Sequence, residues 1–117
     1  MDSPSYPYFN NSVTATKVLV LGAGTRLTTL EVQNINTVDV WIQIFDSATT
    51  AAVTLGTTTP NQSYVVPASD GTNRSATAKD WGDRGLMFKD GIVIAITTTS
   101  TGLTAATTAS IVNLSYT

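Results

Sequence analysis

Three carboxylates, Asp80, Asp83 and Asp90, lie close together within the segment Lys79–Asp90. Clustered carboxylates can hold calcium through hard oxygen ligands, and a facing pair can divide acid and base roles in hydrolysis. Here Lys79, Arg84 and Lys89 are interleaved with them, which points to ion pairing on a loop. A second candidate, Gly22-Ala23-Gly24, begins like a dinucleotide-binding turn. It lacks the third glycine, and a strand-like run follows where a helix N-terminus would have to meet the phosphates. The chain has neither histidine nor cysteine. The usual proton shuttle, the most reactive nucleophile and the soft metal ligands are therefore missing. We expect no catalysis, and assign no residue a catalytic, cofactor-binding or metal-binding role.

Against that scarcity stand 22 threonines in 117 residues. Threonine is β-branched and suits the solvated face of a pleated sheet. The length fits one domain able to bury a core without staples. Hydrophobic residues make up 42% of the sequence and charged residues only 12%, about half the usual share. So few charges predict that partners cover part of the surface. The net charge of −2 and the scatter of Lys17, Arg26, Arg74, Lys79, Arg84 and Lys89 give no basis for a nucleic-acid partner. No apolar run approaches the ~20 residues of a membrane-spanning helix, so no membrane partner is expected. The opening, MDSPSYPYFNN, lacks the basic start and apolar middle of a cleavable signal peptide, and export by that route is not expected.

These residues require short strands to carry them. Residues 1–16 read as an extended N-terminal arm, stiffened by Pro4 and Pro7 and bearing Tyr6, Tyr8 and Phe9, aromatics suited to docking in a groove of this subunit or a neighbour. Residues 17–117 read as the folded domain. Strand-like runs at Lys17–Leu21, Leu27–Ile35, Val38–Phe45, Ala51–Leu55, Tyr64–Val66, Leu86–Phe88, Ile92–Thr98 and Ser110–Tyr116 are separated by turn signals. Period-2 alternation places Val38, Val40, Ile42 and Ile44 on one face, and Val112, Leu114 and Tyr116 on another. Residues 68–84 form the longest polar stretch, and Asp90-Gly91 is a hairpin signal. With no run of helical periodicity, the prediction is all-β: a single antiparallel β-sandwich, jelly-roll-like, with an N-terminal arm.

The aromatics Trp41, Trp81, Tyr64 and Phe88 could stack sugars, but in a sandwich such residues more often fill the core or an interface. Leu19 or Leu21, Trp41, Phe45 and Val93 fall on faces opposite the core set. An apolar second face predicts burial by a neighbouring molecule, with Trp41 and Phe45 as the leading interface residues.

Three segments, Trp41-Ile-Gln-Ile-Phe-Asp46, Val53-Thr-Leu-Gly-Thr-Thr-Thr-Pro60 and Gly91-Ile-Val-Ile-Ala-Ile-Thr-Thr-Thr-Ser-Thr-Gly102, together with a final strand ending at Tyr116, resemble a pattern in small tailed-phage virion proteins. The match spans residues 38 to 117 and leaves the arm outside it. The resemblance implies a virion structural protein made in the host cytoplasm, of the capsid cement or decoration kind. Its partners would be the major capsid protein and copies of itself, most simply a trimer at threefold positions of the shell. Tyr6, Tyr8, Phe9, Trp41 and Phe45 would supply the contacts. A tail, fibre or baseplate component that binds a receptor or glycan is the alternative.

Overall fold

A computed structural model of the chain describes residues 5–117; Met1–Pro4, the start of the expected arm, lie outside the described residues. Among the described residues nine strands form two packed sheets: β1 Tyr6–Val13, β2 Val18–Leu21, β3 Thr25–Asn34, β4 Val40–Asp46, β5 Gln62–Val66, β6 Ser75–Asp80, β7 Leu86–Phe88, β8 Ile92–Thr97 and β9 Ser110–Tyr116. The five-stranded sheet runs β1-β9-β3-β6, with the short β7 also pairing β3; the four-stranded sheet runs β2-β8-β4-β5. Every pairing is antiparallel. The pairs β1·β9, β2·β8, β3·β6 and β4·β5 are those of one long two-stranded ribbon rolled up on itself, the jelly-roll arrangement.

Alternation builds the core. Val40, Ile42 and Ile44 of β4 and Ile92, Ile94 and Ile96 of β8 point inward, where they meet Leu27, Leu30 and Val32 of β3 and Val112 and Leu114 of β9. Phe88, the last residue of β7 and 1% exposed, joins the same core. Tyr64 and Trp81 pack on the rim with ring centroids 6.1 Å apart. The four residues weighed as a sugar platform are thereby dispersed: Phe88 is core, Tyr64 and Trp81 are rim, and Trp41 lies on the outer side of the four-stranded sheet.

Two buried asparagines clip the connections at one end. Asn34, fully buried, donates its amide to the carbonyls of Val38 (2.9 Å) and Pro67 (3.0 Å), and its Oδ1 accepts from the backbone N–H and side-chain amide of Asn36, both at 2.9 Å. Asn36 in turn pairs with the backbone of Thr108 through both ends of its amide, at 2.8 Å each. One hub thus ties three chain crossings that have no ladder of their own, and it satisfies the buried N–H of Asn36.

Several expectations need correction. The sandwich begins at Tyr6 and not at residue 17, because residues 6–13 pair with β9 as an edge strand. Pro7 does not prevent this, since an edge strand leaves one side of its backbone unpaired. Ser75–Asp80, within the stretch read as a polar loop, is strand β6; its alanines face outward on an edge and leave little apolar signal. Ala51–Leu55 is turn rather than strand. Val38 is 51% exposed and precedes β4, so the inward set starts at Val40. Asp90-Gly91 is a tight turn but not a hairpin: it passes the chain from one sheet to the other, as Gly22-Ala23-Gly24 also does. Turn chemistry is local and does not record whether the flanking strands pair.

Candidate functional site

The outer side of the four-stranded sheet carries Trp41, Gln43 and Phe45 of β4 beside Thr97, Ala95 and Val93 of β8. It is covered, but by the chain itself. Phe45 and Val93 pack under Val53 and Leu55 of the connection between β4 and β5, leaving Phe45 1% exposed. That connection is held down by Lys17, whose ammonium donates to the carbonyls of Thr50 (2.9 Å) and Val53. A second threonine-rich loop, following β8, lies over Gln43. The fully buried Gln43 amide donates to Thr97 Oγ1 (2.6 Å) and to the carbonyl of Gly102 (3.0 Å), while Ser63 Oγ donates to the Ser100 carbonyl at 2.8 Å. Gly56 of the first loop sits against Leu103 of the second, so the two close over the sheet together. Phe45 therefore has no surface for a neighbour, and the second apolar face does not by itself call for one. Trp41 differs: it is half-buried at the border of this cover, next to Val65, which is 36% exposed.

At one end of the molecule three connections converge. Asp46 accepts backbone N–H groups from Asp90 (2.7 Å, Oδ1), Lys89 (2.9 Å, Oδ2) and Gly91 (3.3 Å, Oδ1). Gly91 is required there, because a Cβ would come within 2.4 Å of the Leu21 carbonyl oxygen and 2.5 Å of that of Ser47. Burial alone would raise the Asp46 pKa. The three N–H groups, helped by the charge of Lys89, outweigh it and hold the carboxyl below its ordinary value. A depressed folded-state pKa contributes stability that is present above the unfolded value of about 4 and is lost as pH falls through the folded value. The Asp46→Asn variant should accordingly show a shallower loss of urea resistance between pH 6 and pH 3 than the wild type. Asp70, held low by the backbone N–H groups of Asn73 and Thr72, contributes the same acid limb and keeps it from vanishing. Equal slopes for the two proteins would show that Asp46 is not coupled to folding.

The carboxylates singled out by spacing do not act as a group. Asp80 Oδ1 accepts from the Gly82 N–H (2.8 Å) in a tight turn, and Lys79, expected to pair with an acid, places its ammonium 4.9 Å from the centre of the Tyr64 ring. Among the described residues no set of three or more acidic, histidine or cysteine side chains is placed to hold a metal ion.

The open surface is the outer side of the five-stranded sheet. Its registers set two rows across four strands: Phe9–Asn113–Glu31–Ala78 and Pro7–Ser115–Thr29–Asp80. Between the Pro7–Phe9 ridge on one edge and Ala78–Asp80 on the other lies a groove of about 560 Å³. Phe9 is 62% exposed on its rim. Tyr8 points the other way and packs on the core, and Tyr6 stacks on Tyr116 with centroids 5.7 Å apart. Of the three arm aromatics, then, only Phe9 faces this groove. In the floor, Thr29 and Ser115 hydroxyls bond each other at 2.6 Å, and the Gln33 amide donates to Glu31 Oε1 at 3.0 Å. Glu31 and Asn113 escaped the sequence reading, although the alternation Leu30, Glu31, Val32, Gln33 already turns Glu31 outward. Set against known proteins, this chain matches no family model, no curated protein and no solved structure.

Proposed function

We propose that the protein is a structural component of a tailed-phage virion, a decoration protein that binds the outer surface of the head and reinforces contacts between major capsid proteins. The observation that carries this reading is spatial. Three segments of the resemblance, distant in sequence, come together as β4, β8 and the two loops folded over them, while its final strand, β9, belongs to the other sheet. A rolled ribbon of this kind serves capsid and lectin domains alike, and its fold alone does not choose a role. The loops that close the outer side of the sheet give a rigid, weakly charged body, as a cement protein requires. Copies of the chain and the major capsid protein are the partners in this reading. A trimer is its natural form at threefold positions, with the Trp41 border as contact in place of the buried Phe45. The alternative, a tail, fibre or baseplate component, is favoured by one feature, the open groove on the opposite sheet.

The test is a density map of intact particles combined with reconstitution. Purified protein added to heads lacking it should occupy regular sites on the shell and raise the temperature at which the heads release DNA by several degrees. Density found in the tail, with heads unaffected, would replace this reading with the alternative. Sedimentation of the isolated protein should show a trimer that Trp41→Glu converts to a smaller, folded species; a wild-type monomer at high concentration would leave the shell protein as its only partner.

A further inference from the structure

We propose that the open face of the five-stranded sheet is a binding groove for an uncharged oligosaccharide, which stacks on Phe9 and hydrogen-bonds to Asn113 and Glu31. The register fixes this geometry. Phe9, Asn113, Glu31 and Ala78 lie opposite one another on successive strands, so at about 4.8 Å per strand they form a straight line of roughly 14 Å from the aromatic rim to the far edge. A ligand lying along that line meets an apolar ring first and polar groups next. Sugars have this duality, an apolar ring face and a periphery of hydroxyls.

The unspent hydrogen-bonding capacity of the floor points the same way. The Thr29 and Ser115 hydroxyls satisfy each other, and Glu31 Oε1 is taken by Gln33. Among the described residues this leaves Glu31 Oε2, the second oxygen of Asp80 and the whole Asn113 amide to face the groove. Carboxylate oxygens accept strongly from hydroxyls, and an amide both donates and accepts, as a sugar hydroxyl does. Glu31 and Asp80 also place negative charge in the groove, while the ammonium of Lys79 is drawn to the Tyr64 ring. Phosphate, sulfate and uronate ligands are thereby disfavoured, which selects a neutral glycan. The volume of about 560 Å³ lies in the range of small-molecule sites and suits a few sugar rings. The groove plays no part in the capsid-decoration reading, so failure of this inference would leave that reading standing.

The experiment titrates the isotope-labelled full chain with cellohexaose, maltohexaose and hexa-N-acetylchitohexaose, all neutral, and with hexagalacturonic acid as the anionic control, following backbone amide shifts by NMR. At least one neutral sugar should move the amides of Phe9, Glu31 and Asn113 in a saturable way, and the uronate should not. Phe9→Ala should weaken that binding about tenfold through loss of the stacking ring, with the rest of the spectrum unchanged. Glu31→Gln should weaken it several-fold, while Met87→Ala, on an exposed site away from the groove, should leave it intact. No response to any neutral sugar, equal binding of the uronate, shifts confined to another surface or an indifferent Phe9→Ala would each overturn the proposal. So would groove shifts that depend on protein concentration alone, which would make the occupant a second copy of the chain.

Discussion

Replacing Asn34 with alanine should lower the stability of the sandwich by roughly 2–4 kcal/mol. The change removes a side chain that donates to the Val38 and Pro67 carbonyls and accepts two N–H bonds from Asn36. Four hydrogen bonds are lost together, but the buried Asn36 N–H is the group left unpaired inside the fold, since the Pro67 carbonyl keeps Ser75 Oγ and the Asn36 amide keeps the Thr108 carbonyl. An unpaired buried group typically costs about 1–3 kcal/mol, and each other lost bond about 1 kcal/mol or less where water enters. A domain of this size has only about 5–15 kcal/mol in all. With a urea dependence of about 1–3 kcal/mol per molar, the unfolding midpoint should fall by about 2 M. Asn36→Ala should be costly too, and the double variant should cost less than the sum of the two, because the side chains share bonds. A midpoint for Asn34→Ala within a few tenths molar of the wild type would mean that the clipped connections hold themselves.

The hub also illustrates which parts of this molecule were legible in sequence. Inward-facing β-branched and aliphatic residues at every second position fixed β4, β8 and β9 to within a residue or two, since burial on one face imposes a period of two. From the same sequence Asn34 and Asn36 look like an ordinary polar break. Their partners lie 33 and 72 residues away, at Pro67 and Thr108, and no local pattern announces such a bond. Phe45 failed differently. Its alternation correctly put it on the outer side of the sheet, but covering that side with a neighbour assumed that loops are not lids. Val53 and Leu55, read as part of a strand, supply the lid instead. Low charge therefore has a partly internal explanation: threonine-rich loops bury apolar surface that would otherwise need a partner. Phe9 was visible as an arm aromatic, whereas Asn113 was not among the expected site residues. Only the pairing of β1 with β9 puts them side by side.

That pairing turns the N-terminal segment from an accessory into part of the fold, and deletion of residues 1–13 should abolish cooperative folding rather than weaken an attachment. Six residue pairs join β1 to β9 from Tyr6↔Tyr116 to Val13↔Ser110. Val13 is fully buried, and burial of a valine contributes about 1.5–3 kcal/mol. Tyr8 covers the core beside Leu114 and Val112, which become a solvent-facing edge once β1 is gone. The loss, of the same order as the whole stability of such a domain, leaves β9, still paired with β3, as an exposed edge strand with apolar side chains at alternate positions, a template for association. The truncated chain should therefore be insoluble, or soluble without a sharp thermal transition and without dispersed amide resonances. A shorter deletion of residues 1–5, which leaves every paired position of β1 in place, should keep the transition, and so separates the role of the strand from that of the terminus. If the protein lacking residues 1–13 instead melts sharply within a few degrees of the full chain, β1 is a detachable arm. It would then be free to leave its own sheet and pair with β9 of a neighbouring copy.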